Sequence, residues 1–259
     1  MTKIILVGCN GKMGKAVSSS ISNFIDLVIV AGVDAFGKAN EGFPVFETIE
    51  QCNIKADVVL DFSRPTSLET LLKYSKDMKL PLVICTTGFN ESQLEAINEA
   101  TTFSPIFRSA NMSFGINVIN SVLKQISSLL FENFDIEIIE KHHNQKVDAP
   151  SGTALLLADT IKASLSVETH YVNGRDGIAK RDPNEIGIHA VRGGSIIGEH
   201  QVIFAGQSET IEIKHEALSR DVFAIGALKA CAFMKGKANG LYNMDDLIEE
   251  SMKNKQATS

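Results

Sequence analysis

Residues Val7–Val17 read VGCNGKMGKAV, with Gly8, Gly11 and Gly14 three residues apart. The stretch follows KIILV (Lys3–Val7), a short apolar run of the kind that forms a strand buried on both faces. KAVSSSISNF reads as the next helix, and Leu27–Val33 as a second buried strand that ends at Asp34. Strand, glycine turn, helix and strand make a βαβ unit of roughly thirty residues. Glycines at this spacing permit a tight turn and a close approach of backbone to a pyrophosphate. The helix start then offers unpaired N–H groups and the positive end of its dipole. Asn10 stands where the usual fingerprint has its second glycine, and Asn tolerates left-handed backbone angles. Asp34 ends the second strand, where a carboxylate would hold ribose hydroxyls. A glycine turn that merely joins strand to helix is the plainer alternative; the surrounding pattern and Asp34 favour dinucleotide binding.

The alternation continues outward. ADVVLDF (Ala56–Phe62) precedes a helical SRPTSLETLLKYSKDM. LPLVICT (Leu80–Thr86) precedes NESQLEAINEA, a helix opened by Asn90, and Phe103–Arg108 is a further short strand. Apolar strands alternating with helices predict a Rossmann-type, doubly wound parallel sheet, an α/β architecture. CTTGF (Cys85–Phe89) and SANMSFG (Ser109–Gly115) follow the fourth and fifth of these strands. Ligands of open α/β sheets sit at such strand ends, although ordinary turn chemistry accounts for these residue types equally well.

Beyond residue 130 the pattern changes. FDIEIIE (Phe134–Glu140) largely alternates apolar with acidic, as in a half-exposed strand. IGIHAVRGG, SIIGEHQVIFAG and ETIEIKHEAL read as three more strands with little helix between them. This predicts a second, α+β domain with an open sheet covered on one face. RDVFAIGALKACAFMKG, a helix rich in small residues, is expected to pack back on the first domain. The expected division is therefore 1–112 completed by 220–259, with 113–219 as the second domain.

Composition narrows the function. A net charge of −6 argues against a general nucleic-acid binder, and 44% hydrophobic content suffices for two modest cores. Cys9, Cys52, Cys85 and Cys231 lack metal-ligand spacing and suggest reduced thiols in a cytoplasmic protein. Neither a signal peptide nor a membrane span is expected.

Chemistry concentrates in EKHHNQKVDAPSGTA (Glu140–Ala154). His142 and His143 end a strand, Lys146 follows a polar turn, and Asp148-Ala149-Pro150 breaks regular structure. SGTALLLADTIKASL is then a helix whose first turn is Ser151, Gly152 and Thr153. A helix start with small residues is an anion site, to which Lys146 adds a charge and His143 a donor. Histidine is the usual proton-transfer group near neutral pH. Ser151 as a plain helix cap, a solvated loop and a metal site are the competing readings. Metal is disfavoured because adjacent strand residues point to opposite faces, so no metal is expected.

The segment closely resembles the signature of the dihydrodipicolinate reductase family. VGCNGKMG, DFSRP, TTGF, SANMSFGINV, VRGGSIIGEH and SRDVFAIGAL resemble its other landmarks in order, across nearly the whole chain. The resemblance implies reduction of 4-hydroxy-tetrahydrodipicolinate to tetrahydrodipicolinate by NADH or NADPH, with loss of water, in diaminopimelate and lysine biosynthesis. It implies His142 as proton donor and acceptor and Lys146 as proton donor. His143, Gly152 and Thr153 would hold a substrate carboxylate. Gly8, Cys9, Asn10, Gly11, Lys12, Met13, Asp34, Cys85, Thr86, Thr87, Ser109, Ala110, Asn111 and Met112 would line the cofactor. It also implies a homotetramer built through the mixed sheets of the substrate-binding and oligomerisation domain, and domain closure over the nicotinamide. Cys85 stands where family members commonly carry glycine, and Ala35 where some carry an arginine for a 2′-phosphate. Lys38 is the nearby cation, so the choice between NADH and NADPH is open. Two rival functions are another two-domain oxidoreductase of a small carboxylate and a non-catalytic NAD(H) sensor. The first does not predict the Lys146 and Gly152-Thr153 anion pocket; the second needs a further binding surface, for which no basic recognition helix is evident.

Overall fold

In the computed structural model, residues 1–37 and 42–257 are described; Lys38 lies outside them. The first half runs β1 (Thr2–Val7), α1 (Lys12–Ser20), β2 (Leu27–Val33), β3 (Val45–Phe46), β4 (Val58–Asp61), α2 (Leu68–Met78), β5 (Leu82–Ile84), α3 (Glu91–Ala100) and β6 (Pro105–Arg108). Then come α4 (Phe114–Phe131), β7 (Asp135–His142), α5 (Gly152–Ala163), β8 (His170–Asn173), β9 (Glu185–Arg192), β10 (Gly198–Ala205) and β11 (Thr210–Ala217). The chain closes with α6 (Asp221–Met234), β12 (Gly240–Tyr242) and α7 (Met244–Ala257). Two compact units result: Met1–Phe114 with Arg220–Ser259, and Gly115–Ser219.

The first unit is a seven-stranded sheet in the order β12-β6-β5-β4-β1-β2-β3, with every pair parallel. Along β1, Ile4 and Leu6 enter one core with α1, α6 and α7, while Ile5 and Val7 enter a second core with α2 and α3. Alternate strand residues serve opposite faces, which is why each strand reads as a continuous apolar run. The order reverses between β4 and β1, so their carboxyl ends flank a crevice. The small residues of α6 have a use: a Cβ at Gly226 would lie 1.6 Å from the carbonyl oxygen of Met112.

The second unit is a five-stranded mixed sheet, β11-β10-β7-β9-β8. β7 runs antiparallel to β10 and parallel to β9. Ile136 and Ile138 of β7 join Ile186, Ile188, Val202 and Phe204 in a core covered by α4 and α5. The strand continues past Glu140 and ends at His142, as expected for the histidine segment. α4 was not evident in the sequence. It is long and apolar enough to cross a membrane by length and composition alone, yet it buries Asn117, Asn120 and Ser127 and packs Leu123 into the core of the second unit.

Candidate active site

In the first unit the glycine turn lies between β1 and α1. Gly8 has φ +77°, and a Cβ there would meet the carbonyl oxygen of Phe62 at 2.5 Å. A Cβ on Gly14 would stand 2.3 Å from the Gly8 carbonyl oxygen. Only glycine allows turn and helix to meet this closely. Gly11 caps α1 without a side-chain bond, so the first N–H groups of the helix, at Lys12 and Met13, stand at an open anion-binding end. Asp34 follows β2, where its Oδ2 accepts from the Asn10 N–H at 3.0 Å and its Oδ1 from the Phe36 N–H at 3.2 Å. The carboxylate thus braces the turn and retains accepting lone pairs.

Thr86 and Thr87 follow β5, and Ser109, Ala110 and Asn111 follow β6, at the same sheet edge as the glycine turn. Three of the anticipated cofactor residues behave differently. The side chains of Cys9 and Met112 are buried in the first core, so only their backbone can line a nucleotide, while that of Cys85 packs against the core and stays partly exposed. Burial, with the nearby Asp34 charge, pushes the Cys9 thiol up to about 11, and burial likewise raises Cys85. Asp61, which sequence reading did not single out, is buried at the end of β4. Burial lifts its carboxyl above the usual range despite bonds from the Ser63 N–H and hydroxyl. A turn that a Cβ would fill and an uncapped helix start fit a dinucleotide pyrophosphate.

In the second unit β7 delivers His142 buried at its end, with His143 half-buried beside it. His142 Nδ1 is 2.6 Å from Glu140 Oε2. Glu140 is fully buried; Arg192 clamps it with two bonds of 2.7 Å, and the Ser151 N–H donates to it at 3.0 Å. These bonds, Arg192's above all, outweigh burial and hold the Glu140 carboxyl below its ordinary value. His200 lies across the ladder from Glu140, with its ring 5.1 Å from that of His142. Its Nε2 is 3.0 Å from Ser151 Oγ, which accepts from the Ala154 N–H. Burial first, and then the neighbouring His142, push His200 down to about 4, so it is neutral at pH 7.

Lys146 follows in the loop, paired with Asp148 at 2.7 Å and close enough to His200 to influence its charge. The Ala149–Pro150 bond is cis. Ser151 caps α5 through its side chain, while Gly152 is exposed and a Cβ there would meet nothing within 4 Å. The capping role weighed for Ser151 is therefore real and leaves the Gly152-Thr153 turn accessible. His142, Lys146 and the open start of α5 converge in this unit. Glu140, Arg192 and His200 were missed. An acidic residue at the buried phase of FDIEIIE signalled Glu140, but Arg192 and His200 join it only through strand register.

A doubly wound nucleotide unit with a bare helix start, and a second unit that assembles an imidazole, an ammonium and an anion-binding turn, define a two-unit nicotinamide-dependent oxidoreductase. The chain belongs to the dihydrodipicolinate reductase family: residues 2–112 match its N-terminal domain and residues 115–248 its C-terminal domain. It is 64% identical over 249 residues to 4-hydroxy-tetrahydrodipicolinate reductase of Clostridium novyi (strain NT), covering 96% of this chain and 99% of that one. Among solved structures it resembles a dipicolinate-bound dihydrodipicolinate reductase from Paenisporosarcina sp. TG-14, with 25% identity, a TM-score of 0.79 and coverage of 94% and 97%. A myo-inositol dehydrogenase from Corynebacterium glutamicum, at 15% identity and a TM-score of 0.61 over 96% and 92% of the two chains, shares the fold alone.

Proposed function

We infer that this chain is a 4-hydroxy-tetrahydrodipicolinate reductase of diaminopimelate and lysine biosynthesis. The reaction consumes one hydride and one proton, and releases tetrahydrodipicolinate and water. The carrying observation is the convergence of His142, Lys146 and the open Gly152-Thr153 helix start in a chain matched to the family across both domains.

In this reading NADH or NADPH supplies the hydride when bound. Gly8–Met13 would hold its pyrophosphate against the start of α1, and Asp34 would accept from its ribose hydroxyls. Thr86, Thr87, Ser109, Ala110 and Asn111 would line the nicotinamide half, joined by Cys85 and the backbone of Met112. In the second unit the N–H groups of Gly152 and Thr153, with His143, hold a substrate carboxylate. Lys146 exchanges Asp148 for the substrate, neutralises its charge and protonates the departing hydroxyl, while the adjacent ring carbon gives up a proton in return, so loss of water consumes none. His142 then delivers the one proton consumed to that ring carbon, beside the one that accepts hydride. An acidic ribose ligand favours NADH, and we assign NADH as the better cofactor.

The reading extends to a cytoplasmic homotetramer assembled through the open face of the second sheet, where Ile139 and Ile203 interrupt a charged surface on β7 and β10. Light scattering behind size exclusion tests the assembly; a monomer would remove it. The function is tested by generating substrate from pyruvate and aspartate semialdehyde with the upstream synthase, then following NADH and NADPH oxidation separately. Oxidation that requires both proteins is expected. Absence of oxidation with either cofactor, from protein that binds NADH, would reject the reading.

A further inference from the structure

Of the buried charged groups that the proton-transfer scheme leaves unused, Glu140 is the one bonded to His142. Glu140 lies at the end of a strand face that buries Ile136 and Ile138, where an apolar residue would continue the pattern. A buried ion pair is not in itself a source of stability, and apolar replacement of such pairs is often neutral or favourable. The Glu140–Arg192 pair therefore calls for an account beyond packing.

Its geometry supplies one. Oε2 faces His142 Nδ1 at 2.6 Å and one Arg192 nitrogen at 2.7 Å. Oε1 faces the other Arg192 nitrogen at 2.7 Å and the Ser151 N–H at 3.0 Å. Arg192 also donates to the Asp148 carbonyl at 2.7 Å, which ties the Lys146–Asp148 loop to the same group. Strand register sets this arrangement, because Arg192 on β9 lies opposite His142 on β7. A Cβ at Gly198 would stand 3.2 Å from His142 Nε2, so glycine keeps that edge of the imidazole uncrowded.

We propose that Glu140, clamped by Arg192, is the positioning residue of this site: it holds His142 with Nδ1 protonated, leaves Nε2 as the working nitrogen, and fixes the Ser151–Thr153 turn from the same carboxylate. The proposal rests on His142 being the proton-transfer group. An ionised carboxylate accepts only, so the imidazole must place N–H at Nδ1. Second-row carboxylates set histidine tautomers in this way. The other groups facing His142 are Arg192 from β9, His200 from β10 and Ser151 at the start of α5. Lys146, Asp148 and His215 lie around His200. Asp148 is bound to Lys146, so Glu140 is the anion in direct contact with the ring.

Two measurements test this. The first is the nitrogen-15 spectrum of the histidines in the ligand-free protein above neutral pH. His142 is expected as the Nδ1–H tautomer. Replacing Glu140→Leu together with Arg192→Met, so that no unpaired charge is left buried, is expected to raise the Nε2–H form. An Nε2–H tautomer in the wild type, or an unchanged tautomer in the double variant, overturns the proposal. The second is the kinetics of E140Q with rescue by E140D. kcat of E140Q falls roughly 10–100-fold, about the effect of a lost positioning partner, with NADH affinity unchanged. E140D keeps the carboxylate and recovers part of that loss. A kcat of E140Q equal to the wild type, or no recovery in E140D, overturns the proposal. A wild type with the expected tautomer but no turnover overturns the functional reading and leaves the positioning intact.

Discussion

The two helix starts proposed to meet anions are built by opposite means. α1 begins on Gly11 with no side-chain cap, above a turn in which a Cβ at Gly8 or Gly14 would strike backbone carbonyls. α5 begins on a capped Ser151 bracketed by Glu140, Arg192, His142 and His200. The first place is specified by missing atoms, and the second by the arrangement of charged and titratable ones. A site made by excluding side chains fails sterically and is insensitive to pH. A site made of coupled charges fails electrostatically and titrates.

The largest expected effect belongs to the charged site. His142→Gln should lower kcat by roughly 10²–10⁴, the usual contribution of a general acid or base. NADH binding, followed by fluorescence, should stay at the wild-type level; a parallel loss of binding would break the separation drawn between the two helix starts. Next comes a matched pair of glycines. Gly14→Ala places its Cβ 2.3 Å from the Gly8 carbonyl oxygen and should cost about 3 kcal/mol, the upper range for overpacking, in urea unfolding. Gly152→Ala meets nothing within 4 Å and should leave stability within about 0.5 kcal/mol while raising KM for the dicarboxylate. Equal stability losses would contradict the contrast.

The pH dependence of folding sharpens it further. His200 titrates near about 4 in the folded protein, against 6.5 for the ordinary group. Between these values the unfolded chain binds more protons than the folded one. Stability is therefore highest above pH 6.5 and falls as pH drops toward 4, by about 2–3 kcal/mol from this group. Urea midpoints of His200→Gln should be flatter across that window, while Gly14→Ala should retain the wild-type slope. The smallest effect is expected at Asp34→Ala. It should raise KM for NADH about tenfold, as for one charge-assisted hydrogen bond, and KM for NADPH less. Equal changes would mean that Asp34 only braces the turn through Asn10.

Legibility differed between the units for physical reasons. In the first, strands buried on both faces become unbroken apolar runs, and the tight turn after β1 demands glycine, so both are written locally. β3 and β12 escaped because two or three residues carry no periodicity. α4 escaped because its β-branched residues Ile116, Val118, Ile119, Val122 and Ile126 blur helix propensity. Cys9, Cys85 and Met112 lay in the anticipated cofactor loops, but which way their side chains turn depends on the packing beneath.

By itself the sequence determined the doubly wound unit, the open second sheet and the segment from Glu140 to Ala154, since periodicity, turn chemistry and residue type are local properties. Only the tertiary structure decided that Arg192 and His200 come from strands β9 and β10 to meet Glu140 and His142. Strand register sets such meetings, and register is fixed by burying one sheet face rather than by any short run of residues.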